Sequence, residues 1–306
     1  MNFILGSGVV SFASRHILGP SYKIINAGPS RFYNSNPAAT DNFIIATDQL
    51  KPIESILTPL IGSKKSEYNC AWSKFGKIIQ NFNEQDCSSW LSKIFGFRVP
   101  DHIIHVLRDR MQFQVYEHRI NNLYAALFDQ HKNEIMNGIN IDQIVKIEPH
   151  RIILKDNVVE FDKLISTIPL NDLYKLIGYT DSLSSVGVSV IKIKTNTLNF
   201  EGFNQLWVVD DNIPFYKAHI IKENEYLIYF NYKIESPGLL LNMYINDFDL
   251  LTGVWIDSAI PSGAVPFLKH LDNYGIIPVG ASAQWDWCMD FSSCLFRIMQ
   301  IAEGVL

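Results

Sequence analysis

The sequence predicts a mixed α/β (α+β) protein in two parts, and three observations carry that reading. A strand, a glycine turn, a helix and a second strand fill the first 26 residues; the apolar period is mostly helical over 40–137; it turns strand-like after Gly138. At 306 residues, with domains usually running about 100–200, there is room for two domains or one large one.

The elements follow in chain order. Residues 2–5 are an apolar strand, Gly6-Ser7-Gly8 a turn, 9–18 a helix stopped by Gly19-Pro20, and 22–26 a second strand, a β-α-β unit at its minimum length. The Ser/Asn/Pro-rich stretch 28–40 reads as an extended loop. Within the helical block, with short strands in it, Asp86 is expected to cap a helix carrying Trp90, Leu91, Ile94 and Phe95, and Pro100-Asp101 to open another. A longer amphipathic run over 117–136 sets Ile120, Leu123, Tyr124 and Leu127 on one stripe. Strand-like runs follow at 139–147, 151–155, 158–161, 163–166, 186–194, 205–209, 215–221 and 226–232, so the second half carries a substantial mixed or antiparallel sheet. A last strand at 276–279 runs into Gly280, and a closing helix is expected over 292–304.

Composition narrows the function classes. With 47% hydrophobic and 19% charged residues the chain is far from a disordered profile. A net charge of −5, with no block of like charges, argues against a general grip on nucleic acid or an anionic membrane. The cysteines, at 70, 87, 288 and 294, form no C-x-x-C pair and no zinc spacing, which suits reduced thiols in a reducing compartment. The opening apolar run is broken at once by Gly6 and Gly8, so a signal peptide or spanning helix is not expected and the protein reads as cytoplasmic. No metal site is expected: His102 and His105 are three apart, with no third ligand at a fitting distance. No G-x-S-x-G context points to a hydrolase, and oligomeric state is not encoded legibly.

One motif carries chemistry. Gly6-x-Gly8-x-x-Ser11, directly after a strand and opening a helix, is a near match to a dinucleotide fingerprint. Its first glycine makes the tight turn, its second lets backbone N–H groups approach a pyrophosphate, and the helix N-terminus stabilises the negative charge. Ser11 takes the third, small position. The acid expected at the end of the second strand is replaced by Asn26. That amide either bonds a ribose hydroxyl or simply begins the turn at Gly28.

Three segments together resemble one superfamily. These are 4–11 (ILGSGVVS), 161–170 (FDKLISTIPL) and 280–287 (GASAQWDW), and in this order they look like the FAD-dependent amine oxidase, protoporphyrinogen oxidase and UDP-galactopyranose mutase superfamily. The resemblance implies a Rossmann-type FAD-binding domain with a second substrate domain of helices and mixed or antiparallel sheet. The implied FAD domain is assembled from 1–40, 136–180 and 271–306, the substrate domain from 41–135 and 181–270. FAD is the implied cofactor. Gly6, Ser7, Gly8, Val9, Val10 and Ser11 would hold its pyrophosphate, Asn26 would lie near the ribose, and the main chain of Ile144 would meet the adenine. Thr167 and Pro169 end the returning strand. Gly280 and Ala281 pass the flavin, and the helix beginning near Met289 and Asp290 points N–H groups at the pyrimidine.

Within the superfamily the mutase branch looks most similar locally, through Trp285, Trp287 and the 207–217 stretch with Tyr216 and Lys217, the implied catalytic residues. Arginine is replaced by alanine at 281 and by lysine at 217, and lysine is the poorer bidentate clamp for a phosphate. Trp285 and Trp287 either stack on a substrate or pack the core. The implied activity is FAD-dependent oxidation of a C–N or C–O bond of a small substrate or modified group. The alternatives are a redox-neutral isomerase or lyase using reduced flavin, and a non-catalytic nucleotide-binding protein.

Overall fold

The computed structural model describes residues 1–26, 43–74, 77–79, 84–95, 112–180, 183–198, 200–262, 266–284, 286 and 290–305. The loop expected over 28–40, the helix expected after Pro100, His102, His105, Trp285, Trp287 and Met289 lie outside those residues.

The chain begins with β1 (Asn2–Leu5), α1 (Val9–Leu18) and β2 (Tyr22–Asn26). Then come β3 (Phe43–Ile45), α2 (Glu54–Ile61), β4 (Lys65–Lys74), β5 (Lys77–Ile79), α3 (Glu84–Phe95), β6 (Gln112–Arg119) and α4 (Ile120–His131). The strand-rich middle holds β7 (Ile135–Asn140), β8 (Ile144–Glu148), β9 (Arg151–Leu154), β10 (Val158–Glu160), β11 (Leu164–Ser166) and α5 (Leu170–Ile177). β12 (Ser184–Thr195), β13 (Gln205–Val208), β14 (Lys217–Lys222), β15 (Glu225–Phe230), α6 (Pro237–Leu241) and β16 (Phe248–Ser262) follow. β17 (Ile276–Pro278), α7 (Ala281–Gln284) and α8 (Phe291–Ala302) close the chain.

Three sheets organise these elements. The first is parallel throughout, in the order β17-β11-β1-β2-β7, so strands from both ends and the middle of the chain meet in it. β1 shows why the sequence permits this. Ile4 faces one core with Phe12, Leu123 and Leu295, while Phe3 and Leu5 face the other with Leu164, Leu173 and Ile276. A strand buried on both faces reads as continuous apolar sequence. Helices α1, α2, α4 and α8 cover the first face. The antiparallel sheet β10-β9-β8 and α5 cover the second.

The large sheet runs β16-β12-β15-β14-β13-β4-β6-β3, with β5 on β4. One face packs α3 through Trp72, Trp90, Trp207 and Leu227, and the other packs Ile193, Ile228 and Phe230 against Leu241 of α6. Four of its strands, β3, β4, β5 and β6, come from the block expected to be mostly helical. In β6 the two-residue alternation of Phe113 and Val115, which pack against Tyr68 and Cys70, outweighs the helical stripe. The helix expected from residue 117 therefore starts at Ile120, and Ile120, Leu123 and Leu127 of its stripe are buried. Asp86 is not a cap. α3 begins at Glu84, and the Asp86 carboxylate pairs with Lys74 of β4.

Candidate functional site

All five strands of the first sheet run the same way, so their carboxyl ends share one edge, the edge where open α/β sheets bind ligands. β1 ends at Leu5 and gives way to Gly6, β2 ends at Asn26, β11 runs into Thr167, and β17 runs through Val279 to Gly280. Gly6, Ser7, Gly8, Val9, Val10, Ser11, Asn26, Thr167, Gly280 and Ala281 are thus brought to one edge by topology.

Gly6 has φ +141°, and a Cβ there would overlap the Thr167 hydroxyl and lie 2.7 Å from Ser11 Oγ. Those two hydroxyls are 2.6 Å apart, and Thr167 also donates to Leu5 O at 3.1 Å. The Thr167 N–H bonds the same carbonyl at 3.0 Å, and Gly6 N–H bonds Ile25 O at 3.0 Å. The turn is therefore clamped from below by β2 and β11. Gly8 sits at the N-cap of α1 with extended backbone and makes no side-chain cap. The first turn of α1 carries no acidic side chain, so the positive end of the helix is uncompensated by its own residues.

Asn26 Oδ1, Ser166 Oγ and Asn140 Oδ1 at the end of β7 are buried and find no hydrogen-bond partner among the described residues. Ser166 is fully buried between Leu5 and Pro278 in the strand register. An unpartnered buried acceptor costs about 1–3 kcal/mol, so Asn26 suits a ligand that brings a hydroxyl donor. The residues fit an adenosine diphosphate group on these grounds: Gly6 and Gly8 leave the backbone bare, α1 offers N–H groups, and Asn26 offers an acceptor.

Other predicted residues take these places. Pro169 is the N-cap of α5 and its carbonyl accepts from Asp172 and Leu173 N–H. Ile144 opens β8 and is buried in the core behind the parallel sheet. Gly280 has φ +127°, and α7 packs against both α5 and β16, which links the late turn to the large sheet. Asp290 caps α8: its Oδ1 accepts from Ser293 N–H at 2.7 Å and Ser293 Oγ at 2.9 Å. That helix end thus already holds one carboxylate.

Tyr216 and Lys217 lie on the large sheet, not on the parallel one. Strand register sets Tyr229, Lys217, Trp207 and Trp72 in one row across β15, β14, β13 and β4, with Leu227, His219, Gln205 and Cys70 in the next. Tyr216 is buried against Trp90, 6.2 Å between ring centres, and burial pushes its phenol up from the ordinary value. Lys217 Nζ sits 4.6 Å over the Tyr229 ring. Burial brings its ammonium down to about 8, and no carboxylate pairs with it among the described residues.

Sequence reading missed His219, Tyr229 and Cys70. His219 Nδ1 lies 3.4 Å from Tyr229 Oη, while its Nε2 is buried without a partner among the described residues. Desolvation, then Lys217 and Arg119, hold the imidazole well below its usual value, so it is neutral. Burial raises the Cys70 thiol to about 12, leaving it unreactive at neutral pH. The available signal was Lys217-x-His219, two polar residues on one face of an otherwise apolar strand. No group of metal-ligating side chains occurs among the described residues, and no helix there is long and apolar enough to cross a membrane.

No family model and no curated protein sequence matches the chain. Solved structures do. A reduced UDP-galactopyranose mutase is 13% identical over all of this chain and 94% of that one, with a TM-score of 0.70. Cyclohexylamine oxidase from Brevibacterium oxydans IH-35A is 8% identical over 99% of this chain and 98% of that one, TM-score 0.63. Glycine oxidase from Bacillus cereus ATCC 14579 is 12% identical over 100% and 95%, TM-score 0.58. The chain has the Rossmann-type flavoprotein fold of this amine oxidase and mutase group, as its three segments foretold.

Proposed function

We propose, from the fold it shares with these oxidases and the mutase, that the chain is an FAD-dependent oxidoreductase acting on a C–N or C–O bond of a small substrate. The supporting observation is the carboxyl edge of the parallel sheet, where a clamped glycine turn stands beside the Asn26 acceptor, which has no partner among the described residues. Residues 1–40, 136–180 and 271–306 make the FAD domain in this reading, and the rest makes the substrate domain.

Gly6, Ser7 and Gly8 would hold the pyrophosphate, with Ser11 and Thr167 fixing the turn from behind. Asn26 would accept from a ribose hydroxyl, and Ile144 would lie toward the adenine. Bound flavin supplies hydride acceptance. In this reading the substrate would meet Lys217 on the large sheet. Lys217 holds its proton at Nζ and releases it near pH 8, close enough to neutrality to take a proton from a substrate amine or hydroxyl. A redox-neutral reaction is the second reading, favoured by a cation on that sheet with no carboxylate partner among the described residues.

Asn26→Leu tests the cofactor assignment. Replacing an unpartnered acceptor with an apolar side chain of similar size should leave the flavin-free protein as stable or more so, while flavin retained through desalting falls about tenfold or more. Unchanged retention would remove Asn26 from the site. Anaerobic mixing of loaded protein with amine, alcohol and sugar-nucleotide panels then separates the readings: bleaching marks oxidation, and turnover only after dithionite reduction marks redox-neutral chemistry.

A further inference from the structure

α3 holds the loop between β13 and β14 by side chains that bond its main chain. Trp90 Nε1 donates to Tyr216 O at 2.7 Å, and Lys93 Nζ donates to Asp210 O at 2.7 Å and Val208 O at 3.3 Å. Asn231, just past β15, returns a bond from Nδ2 to Lys93 O at 2.6 Å. One helix therefore fixes both ends of residues 209–216 and the end of the next strand. Tyr216 O also accepts from Val208 N–H at 2.9 Å, so the point where the chain turns into β14 is held twice. Lys217 is the next residue.

Lys93 is an expensive anchor. Desolvation brings its ammonium down to about 8 against the opposing pull of Asp211 and Asp210. Those two carboxylates of the loop are the charged groups that face it. It also lines an open polar cavity of about 410 Å³ with Gln85, Ser88, Ser89, Ser92 and Asp211. An apolar residue could pack there at less cost but would remove the donor that ties Val208 O and Asp210 O to α3; among the described residues Asp210 O would keep only its bond from Ile213 N–H at 3.2 Å.

We propose that Lys93 is a positioning residue for Lys217: with Trp90 it fixes the loop from which Lys217 enters β14, and so sets that amine over the Tyr229 ring. This rests on the reading of the Lys217 face as the substrate side. Because both bonds go to main-chain carbonyls, the device depends on the donor and not on which side chains the loop carries.

The test needs neither substrate nor flavin. In protein with lysines labelled at 13Cε, the Lys217 resonance, assigned by its loss in Lys217→Arg, is titrated in the wild type, Lys93→Met and Lys93→Arg. Hydrogen exchange is followed over 209–216 in parallel. In Lys93→Met the Lys217 midpoint should move from near 8 toward the ordinary 10.5, and exchange in the loop should quicken about tenfold or more. Lys93→Arg, which keeps the donors, should restore both. If Lys93→Met does not fold, Trp90→Phe, which removes the Nε1 donor and trims the ring stacked on Trp207, is expected to shift the Lys217 midpoint in the same direction. A folded Lys93→Met or Trp90→Phe variant with an unmoved midpoint overturns the proposal. Failure to retain flavin would count against the functional reading and leave this measurement standing.

Discussion

Replacing Gly6 with alanine is the sharpest perturbation of the proposed cofactor turn. The backbone there stands at φ +141°, where a side chain costs about 1–3 kcal/mol whatever the space around it. Space is also lacking. The new Cβ overlaps the Thr167 hydroxyl, which cannot swing away without losing its contact with Ser11 Oγ and its bond to Leu5 O, each about 0.5–1.5 kcal/mol. Strain and lost bonds together amount to about 2–6 kcal/mol. Urea unfolding followed by far-UV circular dichroism and tryptophan fluorescence measures it, and flavin content after desalting gives the functional readout. The double variant Gly6→Ala/Thr167→Ala separates the two parts, because it removes the hydroxyl and leaves the backbone strain. Its loss should be smaller than the sum of the single losses by about 1 kcal/mol or more. A Gly6→Ala protein within about 0.5 kcal/mol of wild type, with no coupling to Thr167, would refute this account of the turn.

Gly8→Val should abolish flavin retention while the fold survives, because φ at Gly8 is −83°, which valine adopts without strain, and a side chain there would occupy the approach proposed for the pyrophosphate; undiminished retention would move the phosphate site elsewhere. Acid should destabilise the protein before its carboxylates titrate. His16 and His131, whose Nδ1 and Nε2 are 3.1 Å apart, are both held below the ordinary 6.5, chiefly by burial, so the unfolded chain binds more protons and stability falls as pH drops through 6.5. The urea midpoint at pH 5.5 should lie below that at pH 7.5, and His131→Gln should shrink the difference; equal slopes would absolve the pair. Oxidation rates should rise with pH around 8 as Lys217 loses its proton, and Lys217→Met should erase that limb.

The N-terminal unit was legible because its signals are local. Residues 2–26 state a doubly buried strand, a glycine turn and a helix stop within a few positions of one another, and the observed β1, α1 and β2 have the expected bounds. The large sheet was less legible because its pairings are distant. β4 and β6 sit in a stretch whose helical periodicity is real but belongs to α2, α3 and α4. β16 escaped altogether: it is the outermost strand, its Asp249 to Gly253 stretch is exposed, and only pairing with β12 makes it a strand. The site divides the same way. The glycine turn announces itself in sequence, whereas Tyr229 meets Lys217 only through the register of β14 on β15, and Lys93 reaches Asp210 only across a folded helix.

The two candidate surfaces share a physical feature that bears on stability. Asn26 Oδ1 and Ser166 Oγ on the parallel sheet, and His219 Nε2 on the large one, are buried acceptors or donors without partners among the described residues. Each costs about 1–3 kcal/mol until something bonds it. A ligand that reaches Asn26 recovers that cost on binding, and one present at a hundredfold its dissociation constant adds about 2.7 kcal/mol by mass action. Flavin loading should therefore stabilise the wild type more than Asn26→Leu, whose flavin-free form has no such cost to recover. The difference in stabilisation between the two proteins measures how much of the Asn26 penalty the cofactor removes, independently of any turnover.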